Sequence, residues 1–225
     1  MAVVTERDFE ANRTGATMVM IAVLGVPRSG NSLIAGILHH LGYSLGSGEL
    51  WPADKDWNPK GFFVDAQLAA LHDGFIRKPF APTHLVEERG TPWPELQRWR
   101  SHLLSKEEPW AINEWRLPFL WSNFLQLFPD TKIIRPVRPF HRCVKSWAAR
   151  TRTSWWEAAE QLSRHLMMIE DIIDNTQPKP SRVLEVPFDQ VIDYKALSVA
   201  EIASFAGRPF QTKAVEFIDR DLRRF

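Results

Sequence analysis

The chain of 225 residues is short of several things, and each shortage closes off a class of function. It has one cysteine, Cys143, which excludes an internal disulfide and any cysteine-cluster zinc site and suits a reducing compartment. No apolar run approaches the ~20 residues that a bilayer requires. Residues Met1–Thr17 carry acidic groups and no apolar h-region, so neither a membrane anchor nor a secretory signal is expected, and the expected location is cytoplasmic. Excess charge is missing too: 28 basic residues against 27 acidic ones leave a net +1, which gives no bulk attraction to nucleic acid. Any anion site must therefore be local. Internal repeats and low-complexity segments are absent.

What remains is the composition of a globular protein, 44% hydrophobic and 24% charged. A chain of this length buries roughly 70% of its unfolded surface and folds without a disulfide or metal staple. Residues 1–17 are polar and aperiodic and read as a loose arm ahead of a single domain over 18–225. Met18–Leu24 is a continuous apolar run ended by Gly25, the pattern of a strand buried on both faces. Asn31–Leu41 follows at helical spacing, and Gly46–Phe63, rich in Trp, Pro and Gly, reads as a long loop. Helices are expected over Val64–Ile76, Thr91–Leu104, Phe140–Arg150, Ser154–Asp174 and Ser198–Ala206; strands over Lys132–Val137 and Arg182–Val186; and a loop over Gln177–Ser181. Strands alternating with helices predict a three-layer α/β/α fold with a central, mostly parallel sheet.

The chemistry begins at Gly25-Val26-Pro27-Arg28-Ser29-Gly30-Asn31-Ser32, between the first strand and the first helix. Its frame is that of the nucleotide-binding P-loop, with Asn31 where the lysine belongs. Glycines let successive N–H groups turn inward, and the helix start adds its positive dipole end. Ser29 and Ser32 bring hydroxyls, and Arg28 brings a planar fork suited to phosphate oxygens. A kinase or NTPase uses the lysine together with Mg²⁺ held by a downstream acid, and no strand here ends in a matching Asp. A sulfuryl group carries less negative charge than a phosphoryl group, so a lysine-free, arginine-bearing loop points towards sulfuryl transfer. Further on, Arg138 follows a strand and Ser146 lies eight residues later in the next helix. That pair could serve a second phosphate, or be a capping arginine and an ordinary helix serine.

These segments resemble the sulfotransferase family that uses 3′-phosphoadenosine 5′-phosphosulfate. VPRSGNSLIAGILHHLG (Val26–Gly42) looks like the family's 5′-phosphosulfate loop and helix, and RPFHRCVKS (Arg138–Ser146) has the Arg and Ser spacing of its 3′-phosphate motif. RVLEVPFDQVI (Arg182–Ile192), NPKGFF (Asn58–Phe63) and FIDRDLRRF (Phe217–Phe225) are similar to its late strand, a post-helix loop and its ending. The resemblance implies a P-loop nucleotide-hydrolase-like fold and metal-independent, in-line transfer to a hydroxyl or amine of a small-molecule or saccharide acceptor. It implies that Pro27, Arg28, Ser29, Gly30, Asn31 and Ser32 hold the 5′ end of the donor, that Arg138 and Ser146 hold the 3′-phosphate, and that Arg28 stabilises the leaving group.

The general base is where the chain departs from the family pattern. Gly61-Phe62-Phe63 is followed by Val64 instead of Glu, leaving Asp65 as the nearest acid; Asn113-Glu114-Trp115-Arg116 stands where some members have Lys-Asp-Pro-Arg; and Arg116-Leu117-Pro118 lacks the histidine of the cytosolic branch. Asp65 and then Glu114 are the candidates for the base, each with the alternative of a loop carboxylate or an arginine partner. Ten tryptophans are many for this length, and Trp51 and Trp57 in the long loop are the best placed to meet an acceptor. A nucleoside or small-molecule kinase with an aberrant loop and a non-catalytic nucleotide-binding protein are the rival readings.

Overall fold

The computed structural model describes residues 19–77, 87–88, 93–106 and 109–222. The N-terminal arm expected over 1–17 lies outside the described residues, as do Thr91 and Pro92 of the third expected helix and the last three residues. At the centre is a four-stranded, all-parallel sheet of order β4-β1-β5-β6, made of β1 (Ile21–Val23), β4 (Ala111–Asn113), β5 (Lys132–Val137) and β6 (Val183–Pro187). Two short strands, β2 (Ile76–Arg77) and β3 (Glu87–Glu88), pair antiparallel apart from it.

Both faces of this sheet are covered, and the alternation of strand side chains shows how. Met20, Ala22, Leu24, Ile112 and Ile133 point into one core, shared with α3 (Trp93–Leu104), α4 (Trp121–Leu127), α5 (Phe140–Thr151) and α6 (Trp155–Asn175). Ile21, Val23, Ala111, Ile134 and Val186 point into the other, shared with α1 (Asn31–His40), α8 (Phe188–Asp193), α9 (Lys195–Ala206) and α10 (Thr212–Phe217). A strand buried on both sides needs apolar residues at consecutive positions, which is why Met18–Leu24 reads as an unbroken run. The helix α2 (Ala66–Phe75) packs through Leu68 into the first core. The α6 start carries a capping box: Ser154 Oγ accepts from Glu157 N, and Glu157 accepts from Ser154 N.

The three expected strands are present with small changes of boundary. The fourth, β4, was not expected, because Ala111-Ile112-Asn113 is too short to show a period. Part of the loop expected at Gln177–Ser181 is instead one helical turn, α7 (Lys179–Arg182). Because all four central strands run the same way, their carboxyl ends lie along one edge, the usual ligand edge of an open α/β sheet. From that edge issue the Gly25–Ser32 loop after β1, Asn113–Arg116 after β4, Arg138 after β5 and Phe188 after β6.

Candidate active site

The loop after β1 is held in shape by its own side chains. Asn31, at the lysine position, donates from Nδ2 to the Gly25 carbonyl (2.8 Å) and accepts at Oδ1 from Ser29 Oγ (3.3 Å). It therefore ties the loop where a lysine would supply charge. Gly30 caps α1 with φ of 117°, and a Cβ there would come within 2.7 Å of Phe188 Cδ2, so any side chain would collide with the segment after β6. No side chain caps α1, so its first N–H groups remain for another acceptor.

Arg28 has φ of 74°, a left-handed backbone that costs a non-glycine residue about 1–2 kcal/mol. Two groups from distant sequence accompany this conformation. Arg138 donates from a terminal guanidinium nitrogen to the Arg28 carbonyl (3.0 Å), and Arg28 Nε donates to Ser146 Oγ (2.9 Å). The Arg28 guanidinium also faces the Trp57 ring at 5.6 Å, and that of Arg138 lies 4.6 Å from the Phe188 ring. Ser146 is fully buried, so it meets the site through Arg28 and not directly. The spacing of Arg138 and Ser146 along the chain hides this arrangement, because the link between them is a residue more than a hundred positions away.

Above these residues opens a cavity of about 400 Å³, within the range of ordinary small-molecule sites. Pro27, Arg28, Gly30, Asn31, Ser32 and Arg138 line it, as does Asn113 from the unexpected β4. Ser29 does not; it is buried and lines a smaller adjoining cavity of about 160 Å³ with Arg138 and Cys143. The Cys143 thiol is pushed up to about 11 by burial, which outweighs the downward pull of Arg138 and Arg28. It is therefore a packed thiol and not a nucleophile at neutral pH.

The rest of the main wall is aromatic and cationic. Trp51, Trp57, Phe62, Trp115, Trp147, Phe188 and Phe217 supply ring faces, and Lys60 and Arg150 supply charge. Burial lowers the pKa of the Arg150 guanidinium, opposed by the charge of Asp54, and the group lies 4.9 Å from the Phe62 ring. Both tryptophans singled out from the long loop, Trp51 and Trp57, thus reach the cavity. Trp110 is core, and Trp155 and Trp156 are exposed. Among the described residues, four cations and a single carboxylate, Asp219, line this one space in a chain whose net charge is +1.

Neither carboxylate proposed for the base is among the residues lining the cavity. Asp65 is the N-cap of α2: its oxygens accept from Gln67 N (2.8 Å), Leu68 N (3.3 Å), Ser47 N (2.8 Å), Ser47 Oγ (3.2 Å) and Trp99 Nε1 (2.9 Å). Its lone pairs are committed to structure. Glu114 is buried behind Asn113 and Trp115, accepting at Oε1 from Arg116 N (3.0 Å) and from a terminal Arg116 nitrogen (3.1 Å). Burial pushes its pKa up, but His72 and Arg116 together outweigh that and hold it below the usual range. Arg116 also pairs with Asp73 at 3.0 Å and lies against the rings of Trp115 (4.6 Å) and Trp51 (5.5 Å). Glu114 thus steadies the back of the aromatic wall. The sequence pointed to these two acids because they follow motif-like residues; an Asp just ahead of a helix is equally a cap signal. Lys60, Asn113 and Asp219 lie inside the quoted segments Asn58–Phe63, Asn113–Arg116 and Phe217–Phe225, but the sequence assigns none of them a role, because only the fold brings these separate segments to one wall.

Among solved structures, the fold matches the sulfotransferase STF1 from Mycobacterium tuberculosis H37Rv, with a TM-score of 0.59 at 14% identity over 94% of this chain and 73% of that one. It also matches the sulfotransferase STF9 from Mycobacterium avium (TM-score 0.60, 13% identity, 95% of this chain and 69% of that one). A third match is the sulfotransferase domain of the Synechococcus PCC 7002 olefin synthase (TM-score 0.56, 17% identity, 88% and 75%). At such identities these likenesses speak for the fold. No curated protein sequence matches. A sequence model described as the sulfotransferase family matches residues 21–212, which takes in the loop after β1, the Arg138–Ser146 segment and all four central strands. With the fold and the cationic cavity at the carboxyl edge of its sheet, that match settles the lineage: the chain belongs to the sulfotransferase family.

Proposed function

We propose that this chain transfers a sulfuryl group from 3′-phosphoadenosine 5′-phosphosulfate to a hydroxyl or amine of a small-molecule or saccharide acceptor. One observation carries the reading: Arg28 and Arg138, from two segments far apart in sequence, meet at the wall of one cavity, with the buried Ser146 holding Arg28 from behind, and among the described residues four cations there face one carboxylate. Such a wall suits a ligand with anionic groups at two ends. Family membership speaks against the kinase alternative.

The residues present fit that donor. Arg28 and the amides at the start of α1 supply fixed positive ends where the leaving phosphate would carry charge. Arg138 adds a second guanidinium for a separate phosphate, which would distinguish this donor from ATP. Bound there, the donor supplies the sulfuryl group. Charge neutralisation then falls to guanidinium and amide groups already oriented, with little reorganisation on reaction. The ring faces of Trp51, Trp57 and Trp115 suit a flat or sugar-like acceptor at small entropic cost.

The test is transfer of ³⁵S-labelled sulfuryl to a panel of phenols, sugars and amines, with and without EDTA. The expected result is product formation that survives EDTA. Arg28→Ala should lower turnover severely, and Arg138→Ala should chiefly weaken donor binding. Absence of any transfer, or dependence on Mg-ATP, would overturn the reading.

A further inference from the structure

The proposed transfer requires a group to take the acceptor's proton, and the two acids that the sequence suggested are occupied elsewhere. Among the described residues lining the cavity there is no histidine, cysteine, tyrosine or glutamate. The guanidinium groups of Arg28, Arg138 and Arg150 remain protonated in any ordinary solution. That leaves Asp219, the lone carboxylate on the wall, with Lys60 beside it. We infer that Asp219 is the general base of this site; the inference rests on the sulfuryl-transfer reading above.

The geometry suits the task. Asp219 follows α10, in the short segment leading to the 3₁₀ turn Arg220–Leu222. Its Oδ1 accepts the Asp221 N–H at 3.0 Å, which fixes the carboxylate on its own backbone. Its Oδ2 lies 3.6 Å from Lys60 Nζ, an ion-pair distance too long for a hydrogen bond, so this oxygen keeps lone pairs for a third partner. Lys60 is anchored in turn: Nζ donates to the Phe217 carbonyl at 2.6 Å and lies 5.2 Å from the Phe217 ring. It thereby clips the long loop of residues 46–63 to the C-terminal segment and sets a positive charge beside the carboxylate. The Asp219 side chain is 38% exposed, so a proton it takes up can pass on to solvent.

In the step, an acceptor O–H proton moves to Asp219 Oδ2 as the acceptor oxygen forms its bond to sulfur. The bond between sulfur and the bridging oxygen breaks, and its electron pair leaves on the 5′-phosphate. Asp219 then returns the proton to water. Nothing is oxidised or reduced, and no further reactant is needed.

The variant is Asp219→Asn, whose amide oxygen can still accept the Asp221 N–H while having no basicity. Transfer is measured to benzyl alcohol, which must lose a proton, and to 4-nitrophenol at a pH where it is already the phenolate. Release of labelled sulfate to water is read in parallel, since water needs the same proton removed. The expected loss is 10²–10⁴-fold towards benzyl alcohol and water, and less than tenfold towards the phenolate. Affinity for adenosine 3′,5′-bisphosphate should be kept or improved, because a negative charge has gone. A variant that transfers to benzyl alcohol and water at wild-type rates, or one impaired equally towards all three, would overturn the base. Failure of the wild-type protein to transfer to any acceptor, water included, would overturn the donor chemistry and this assignment with it.

Discussion

Ser146 offers the sharpest way to perturb the site without touching its charge. Its hydroxyl is fully buried and accepts Arg28 Nε at 2.9 Å, and Arg28 holds a left-handed backbone at the same time. A hydrogen bond to a charged group is worth about 1.5–3 kcal/mol, so Ser146→Ala should weaken binding of adenosine 3′,5′-bisphosphate by about 10–150-fold. If Ser146 acts only by fixing Arg28, its loss should matter little once Arg28 is gone. Titration calorimetry on Ser146→Ala, Arg28→Ala and the double variant tests this directly. The expected coupling is of the size of the bond itself, about 1.5 kcal/mol or more, with the double variant binding about as weakly as Arg28→Ala alone. Additive losses would mean that Ser146 meets the ligand independently, and the positioning argument would be wrong.

Two further expectations follow from buried groups away from the cavity. Asp65→Ala removes the N-cap of α2 and the acceptor of the Trp99 indole, so it should cost about 3 kcal/mol of stability. Chemical denaturation would show this, while turnover of the folded fraction at low temperature should persist; a folded variant without activity would return Asp65 to the catalytic machinery. His165, whose Nε2 meets the Trp115 carbonyl, is held neutral by burial with its pKa lowered to about 4. The unfolded chain takes up that proton near pH 6.5 and the folded one only near 4, so the stability held above pH 6.5 is lost as the pH falls to 4. The loss is about 3 kcal/mol at 1.36 kcal/mol per unit. His165→Gln should flatten that slope in urea titrations between pH 4 and 7; an unchanged slope would assign the effect to other groups.

How much of this was legible beforehand depended on whether the signal was local. The strand β1 announces itself as an apolar run, because burial on both faces leaves no room for alternation, whereas β5 and β6 are apolar stretches interrupted by Arg135 and Glu185, which pair with each other on the sheet. The three-residue β4 does not, yet it brings Asn113 and Trp115 to the cavity. The loop from Gly25 to Ser32 was readable because its backbone demands, such as φ of 117° at Gly30, restrict residue choice at fixed spacing. The carboxylate proposed here as the base was not readable. Asp65 sits after an aromatic pair and looks catalytic, but its oxygens are committed to α2 and Trp99. Asp219 reaches the same cavity from the far end of the chain, and only the packing of α10 against α1 brings it there.

The central claim is that Arg28 and Arg138 grip two separate anionic groups of one nucleotide. The most direct measurement compares calorimetric affinities for adenosine 3′,5′-bisphosphate and for adenosine 5′-monophosphate, in the wild-type protein and in Arg138→Ala. The bisphosphate should bind at least tenfold tighter to the wild type, and Arg138→Ala should bring the two ligands to within about threefold, as expected when one charge-assisted contact worth at least ~1.4 kcal/mol is removed. Equal affinities in the wild type, or a preference that survives the loss of Arg138, would contradict it.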